Sequence, residues 1–121
     1  MPPRNVHAIL GKIARQRGRT SEQRVLEACQ LPARPAWMKS ARAATRAEDH
    51  DGIDVVVESD VGKLFVQVKS SRRGKADFEE RRRRARVAVV VVGAGDAAEK
   101  VLRKVVGELA KVRAEYLRER G

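Results

Sequence analysis

Apolar residues recur along this chain with two different periods, and each change of period marks a change of element. Val6, Ile9, Leu10 and Ile13 fall at helical spacing before Gly18, which predicts a basic N-terminal helix or arm over residues 1–17. Thr20 and Gln23 then have capping-box spacing, and Val25, Leu26, Ala28 and Cys29 give the next helix an apolar side that Leu31-Pro32 ends. Glu22 lies in the first turn of that helix, where the dipole favours an acid. Cys29 has no nearby histidine and reads as a small buried hydrophobe. Past a break from Pro32 to Pro35, residues 37–45 read as a first strand with Lys39 and Arg42 among small residues.

The period then becomes two. Gly52-Ile53-Asp54-Val55-Val56-Val57-Glu58 and Leu64-Phe65-Val66-Gln67-Val68-Lys69-Ser70 flank a short Gly-containing turn at residues 59–63, which predicts an antiparallel hairpin. Alternation places Asp54, Val56 and Glu58 on one face of the first strand and Phe65, Gln67 and Lys69 on one face of the second. An offset register would set Asp54 opposite Gln67 or Lys69, so that a carboxylate, an amide and an ammonium project together from apolar strands. Such a cluster is costly unless it is paired or binds something. An Asp54–Lys69 ion pair is the simple account, and a metal site with a catalytic lysine is the sharper one. The preceding Glu48-Asp49-His50-Asp51 reads as a solvated acidic loop, with Asp51 the member near enough to assist Asp54.

Beyond Lys69 the basic segment holding Arg72, Arg73 and Lys75 leads to a short helix from Asp77 to Arg84. Val87 to Val92 is a continuous apolar strand, and the gap before it is long enough for a crossover, which predicts parallel pairing with the preceding strand. Asp96 and Glu99 have capping-box spacing at the start of a long helix whose apolar stripe is Ala98, Leu102, Val105, Leu109, Val112 and Tyr116. Most of that stripe should pack on the sheet, and its end from Leu109 to Tyr116 is a candidate dimer surface. Gly93-Ala94-Gly95-Asp96-Ala97-Ala98 matches the Ala-ended dinucleotide fingerprint, but no second strand follows the helix, so a tight turn plus an N-cap is the simpler reading.

Composition narrows the partners. With 121 residues the chain forms one domain, and a formal net charge of +11 attracts polyanions, of which nucleic-acid backbones are the commonest. Aromatic residues are only 3%, which disfavours base stacking on single strands and points to backbone contact with duplex nucleic acid. No apolar run reaches membrane-spanning length and the N-terminus lacks a signal-peptide core, so a cytoplasmic protein without a membrane partner is expected.

The order helix with Glu22, strand, strand with Asp54, strand with Gln67-Val68-Lys69, helix, strand resembles the PD-(D/E)XK nuclease superfamily, the fold of many restriction endonucleases and Holliday-junction resolvases. The likeness covers residues 18–121, and a Gln in the acidic position is a feature of its Mrr-type members. It implies an α/β, restriction-endonuclease-like αβββαβ core with a mixed central sheet flanked by helices. It also implies a metal-dependent DNA endonuclease that hydrolyses phosphodiester bonds, with a catalytically inactive DNA-binding protein of the same fold as the alternative. Carried over by position, Asp54, Gln67, the Val68 carbonyl and Glu22 would hold Mg²⁺ or Mn²⁺. Lys69 would orient the attacking water, Arg72, Arg73 and Lys75 would contact DNA, and the protein would act as a homodimer. Gln67 removes one formal charge from that metal site.

Overall fold

The computed structural model describes residues 20–70 and 86–120. The expected N-terminal helix, the expected Asp77–Arg84 helix, and Arg72, Arg73 and Lys75, expected to contact DNA, lie outside the described residues. Those described form an α/β fold: α1 (Ser21–Ala28), β1 (Met38–Ala43), α2 (Arg46–His50), β2 (Val55–Ser59), β3 (Gly62–Lys69), β4 (Val87–Val91) and α3 (Ala98–Arg120). The sheet order is β1-β2-β3-β4; β1 and β3 flank β2 antiparallel, and β4 pairs parallel with β3. This is a mixed sheet, and the parallel pairing of the apolar run with β3 is the one its crossover length predicted.

The hairpin follows from its turn chemistry. Ser59 pairs with Gly62, and the Ser59 hydroxyl accepts from Val61 N–H at 3.2 Å and donates to the Gly62 carbonyl at 2.7 Å. Gly62 has φ +105°, a conformation a side chain would strain. At this end of the sheet Asp60 also takes two bonds from Arg113 of α3, whose guanidinium stacks on Trp37 at 5.3 Å.

Helices α1 and α3 share one face of the sheet. Val25 and Ala28 from α1 and Val101, Leu102, Val105, Leu109 and Val112 from α3 close over Val55, Val57, Leu64, Val66, Ala88, Val90 and Val92. Cys29 joins this core, and burial pushes its thiol up to about 11. Leu109 is fully buried and Val112 nearly so; both therefore serve this chain's own core.

Two local expectations are also corrected. Residues 46–50 form a helix rather than a loop, started by a capping box in which Thr45 Oγ1 accepts from Glu48 N–H and Glu48 reaches back to Thr45 N–H. Asp96 does not cap α3. Its carboxylate instead accepts from Gly93 N–H at 2.8 Å and from Lys104 at 2.6 Å, with Lys100 at 3.3 Å, and this cationic company holds it well below the usual carboxylate range. A side chain at Gly93 would press on those carboxylate oxygens at 3.3 Å, so the glycine of the apparent nucleotide fingerprint makes room for the chain's own aspartate.

Candidate active site

Parallel strands end together, so β3 and β4 bring Lys69 and the Gly93–Asp96 turn to one end of the sheet. Val92 N–H donates to the Lys69 carbonyl at 2.8 Å. Asp54 arrives at the same end from the start of β2. Its carbonyl accepts from Ala44 N–H at 3.0 Å and its N–H donates to the Val66 carbonyl at 2.8 Å. Val55 is itself paired with Val66, the pair that ends the hairpin ladder next to Asp54. The paired residues follow the expected offset register, which continued one residue past the Val55–Val66 pair sets Asp54 opposite Gln67.

The Asp54 side chain reaches β3, where Oδ2 accepts from Val68 N–H at 2.7 Å. The carboxylate is thereby seated on the Gln67-Val68-Lys69 segment by a short charge-assisted bond. It is the Val68 amide, rather than its carbonyl, that the structure shows engaged. Gln67 Oε1 is buried and has no hydrogen-bond partner among the described residues. An amide oxygen in that state carries a desolvation cost of about 1–3 kcal/mol, so its placement calls for a cation or donor.

Helix α1 supplies the second carboxyl. The capping box predicted from Thr20 and Gln23 is formed, with Gln23 N–H donating to Thr20 Oγ1 at 3.1 Å, and it fixes the first turn in which Glu22 lies. Glu22 lies close enough to Asp54 for the two carboxyls to interact. Partial desolvation, the Asp54 charge and the Asp49 charge together raise the Glu22 pKa. Asp49 went unnoticed in the acidic run, where Asp51 was the expected helper. The Thr45–Glu48 capping spacing was the overlooked signal, since it turns the run into α2. Arg42 pins α2 through two bonds to Glu48, at 2.8 and 3.1 Å, which with the Thr45 amide draw the Glu48 pKa down to about 2.

Two interacting carboxyls and a bare amide oxygen are hard donors of the kind Mg²⁺ or Mn²⁺ takes. Among the described residues no group of three His, Cys, Asp or Glu side chains could hold a metal ion. Comparison with protein-family models, curated proteins and solved structures gives no significant match. Among the described residues, no helix is long and apolar enough to cross a membrane.

The carboxyl pair has a consequence for stability. A carboxyl whose pKa is raised by folding stabilises the fold below its unfolded value near pH 4.3 and loses that contribution as pH rises through the folded value. Ionised Glu22 therefore weighs against the fold at neutral pH, and the raised pKa shows that its favourable place in the helix dipole is outweighed. Glu22→Gln is expected to raise the melting temperature at pH 7 by about 2–4 °C, corresponding to about 0.5 kcal/mol after allowing for the exposure of Glu22. The gain should vanish near pH 3. Thermal denaturation at the two pH values checks this, and a loss at pH 7 would contradict it.

Proposed function

We propose that this chain is a divalent-metal-dependent DNA endonuclease of the restriction-endonuclease-like fold, hydrolysing phosphodiester bonds in duplex or branched DNA as a cytoplasmic homodimer. The observation that carries the reading is the Asp54 carboxylate, seated on Val68 N–H and close to Glu22, on the strand that ends in Lys69. The element order with its mixed sheet is compatible with that fold, and the net charge of +11 suits a phosphate backbone.

Glu22, Asp54 and Gln67 would hold Mg²⁺ or Mn²⁺. The cation supplies Lewis acidity toward a phosphoryl oxygen and an acidified water. Asp54 keeps its geometry through the Val68 amide, so its carboxylate is held in place before any ligand arrives. Glu22, with its raised pKa, is suited to accept and hold a proton from an attacking water. The Lys69 ammonium, carried at the end of a strand whose carbonyl is fixed by Val92, offsets the negative charge that builds as water adds to phosphorus and the 3′ oxygen departs.

A second reading has its own support. Gln67 stands where the resemblance would place an acid, and among the described residues no group of three His, Cys, Asp or Glu side chains could hold a metal ion. A DNA-binding protein that keeps the fold without cutting would look like this. Supercoiled plasmid incubated with Mg²⁺ or Mn²⁺ separates the two. The nuclease reading expects nicking that chelator stops and that Asp54→Asn abolishes; salt-sensitive binding without nicking favours the binding protein. Nicking by Asp54→Asn at the wild-type rate would remove this site from consideration.

A further inference from the structure

Asp54 is held from the chain that precedes it as well as from the ladder that follows. The chain leaves β1 at Ala43, turns through α2 and returns to β2; Ala44 N–H donates to the Asp54 carbonyl and Ile53 N–H to the Glu48 carbonyl, each at 3.0 Å. Glu48 thus binds the residue before Asp54 through its main chain. Its carboxylate accepts from Thr45 N–H at 2.8 Å and from both terminal nitrogens of Arg42, at 2.8 and 3.1 Å. Arg42 stands on β1 opposite Val56 and also donates to the Ala43 carbonyl at 3.2 Å, so its guanidinium joins the end of one strand to the helix that leads into the next.

We infer that Arg42 is a positioning residue: by clamping Glu48 it holds α2 against the end of β1, and so keeps Asp54 where its carboxylate meets Val68 N–H. Packing contributes little here. None of the five residues of α2 is buried, and no other described helix or strand packs on it. A helix of that length is not stable on its own. An exposed ion pair usually adds little, but a guanidinium that meets both oxygens of one carboxylate, itself bonded to a helix-start amide, has the fixed geometry in which one does. Without the clamp α2 would loosen from β1, and the start of β2 would open with it, as weakly tied segments do ahead of global unfolding. The bearing of Arg42 on cleavage rests on the nuclease reading; its hold on Asp54 does not.

The test is amide hydrogen exchange at Val68, followed by NMR in metal-free buffer at pH 7 with no DNA present. Val68 N–H reports the seat directly, because its acceptor is the Asp54 carboxylate rather than a main-chain carbonyl. Leu64, paired with Val57 within the same hairpin, is the internal reference. Arg42→Ala should raise the exchange rate of Val68 relative to Leu64 by about three- to tenfold. Arg42→Lys, whose single ammonium cannot fork, should give an intermediate rise, and it carries the test if Arg42→Ala does not fold. In a Glu48→Ala background Arg42→Ala should add less than about 1.5-fold, because it acts through Glu48. Arg113→Ala, which breaks the clamp to Asp60 at the far end of the sheet, should leave the ratio unchanged. A residue that merely stabilises the protein would speed Leu64 at least as much as Val68. An unchanged ratio in both Arg42 variants therefore overturns the inference, as does a full effect without Glu48 or an equal one from Arg113→Ala. Because neither metal nor DNA is present, this test can fail while plasmid nicking succeeds, and the reverse.

Discussion

Lys69→Ala is expected to slow DNA nicking by about 10²–10³-fold while changing DNA affinity by less than about threefold. The size follows from what the ammonium does in the proposed reaction: it acts on charge that appears only as water adds to phosphorus, and removing one such stabilising group typically costs two to three orders of magnitude in rate. Ground-state affinity is spread over many phosphate contacts of a chain with net charge +11, so one lysine fewer changes it little. Lys69→Arg keeps the charge but widens it into a planar fork, and should recover only part of the rate. Single-turnover nicking with protein in excess, paired with binding isotherms at fixed salt, separates the two quantities. A tenfold loss of affinity with an unchanged cleavage step would make Lys69 a backbone contact instead, and wild-type values for both would exclude it from the site.

Lys69 was legible in the sequence because strand alternation is a local signal. From Val55 to Lys69 the apolar positions, the glycine at φ +105° and the polar interruptions all agree with one hairpin, and the pairing of Ser59 with Gly62 bears that out. The Thr20–Gln23 capping box is equally local, and so was the start of α1. Where a tertiary partner competes with a local one, the pattern misleads. Asp96 has the spacing of an N-cap over Glu99, yet Lys104 and the Gly93 amide outbid the helix for its carboxylate. Asp54 lies in the register the alternation implies, but its carboxylate is taken by the Val68 amide, a partner that alternation does not announce. Arg24 donates to the Gly93 carbonyl across 69 positions, and no periodicity in the chain announces that bond either. The two acids of the site could thus be nominated from local pattern, whereas the tertiary bonds around them could not.

The largest loss of stability is expected from Leu109→Ala. Leu109 is fully buried at the middle of α3, where it closes the core between the helix and the sheet, and truncating such a leucine removes about 2–5 kcal/mol through lost transfer energy and the cavity left behind. For a domain of this size the melting temperature should fall by on the order of 10–20 °C. Leu117→Ala is the control on the same helix, since Leu117 is 42% exposed and its truncation should cost less than about 0.5 kcal/mol. The pair also separates two uses of the helix stripe. If Leu109 stabilises the protein by sealing one chain's core, the loss is the same at every protein concentration. A contribution made across a dimer would instead shrink on dilution, because a wild type held together by association loses its own advantage as it dissociates. Thermal scans of both variants and the wild type over about a tenfold range of concentration decide the matter, and a Leu109→Ala deficit that fades on dilution would return the far half of α3 to an interface.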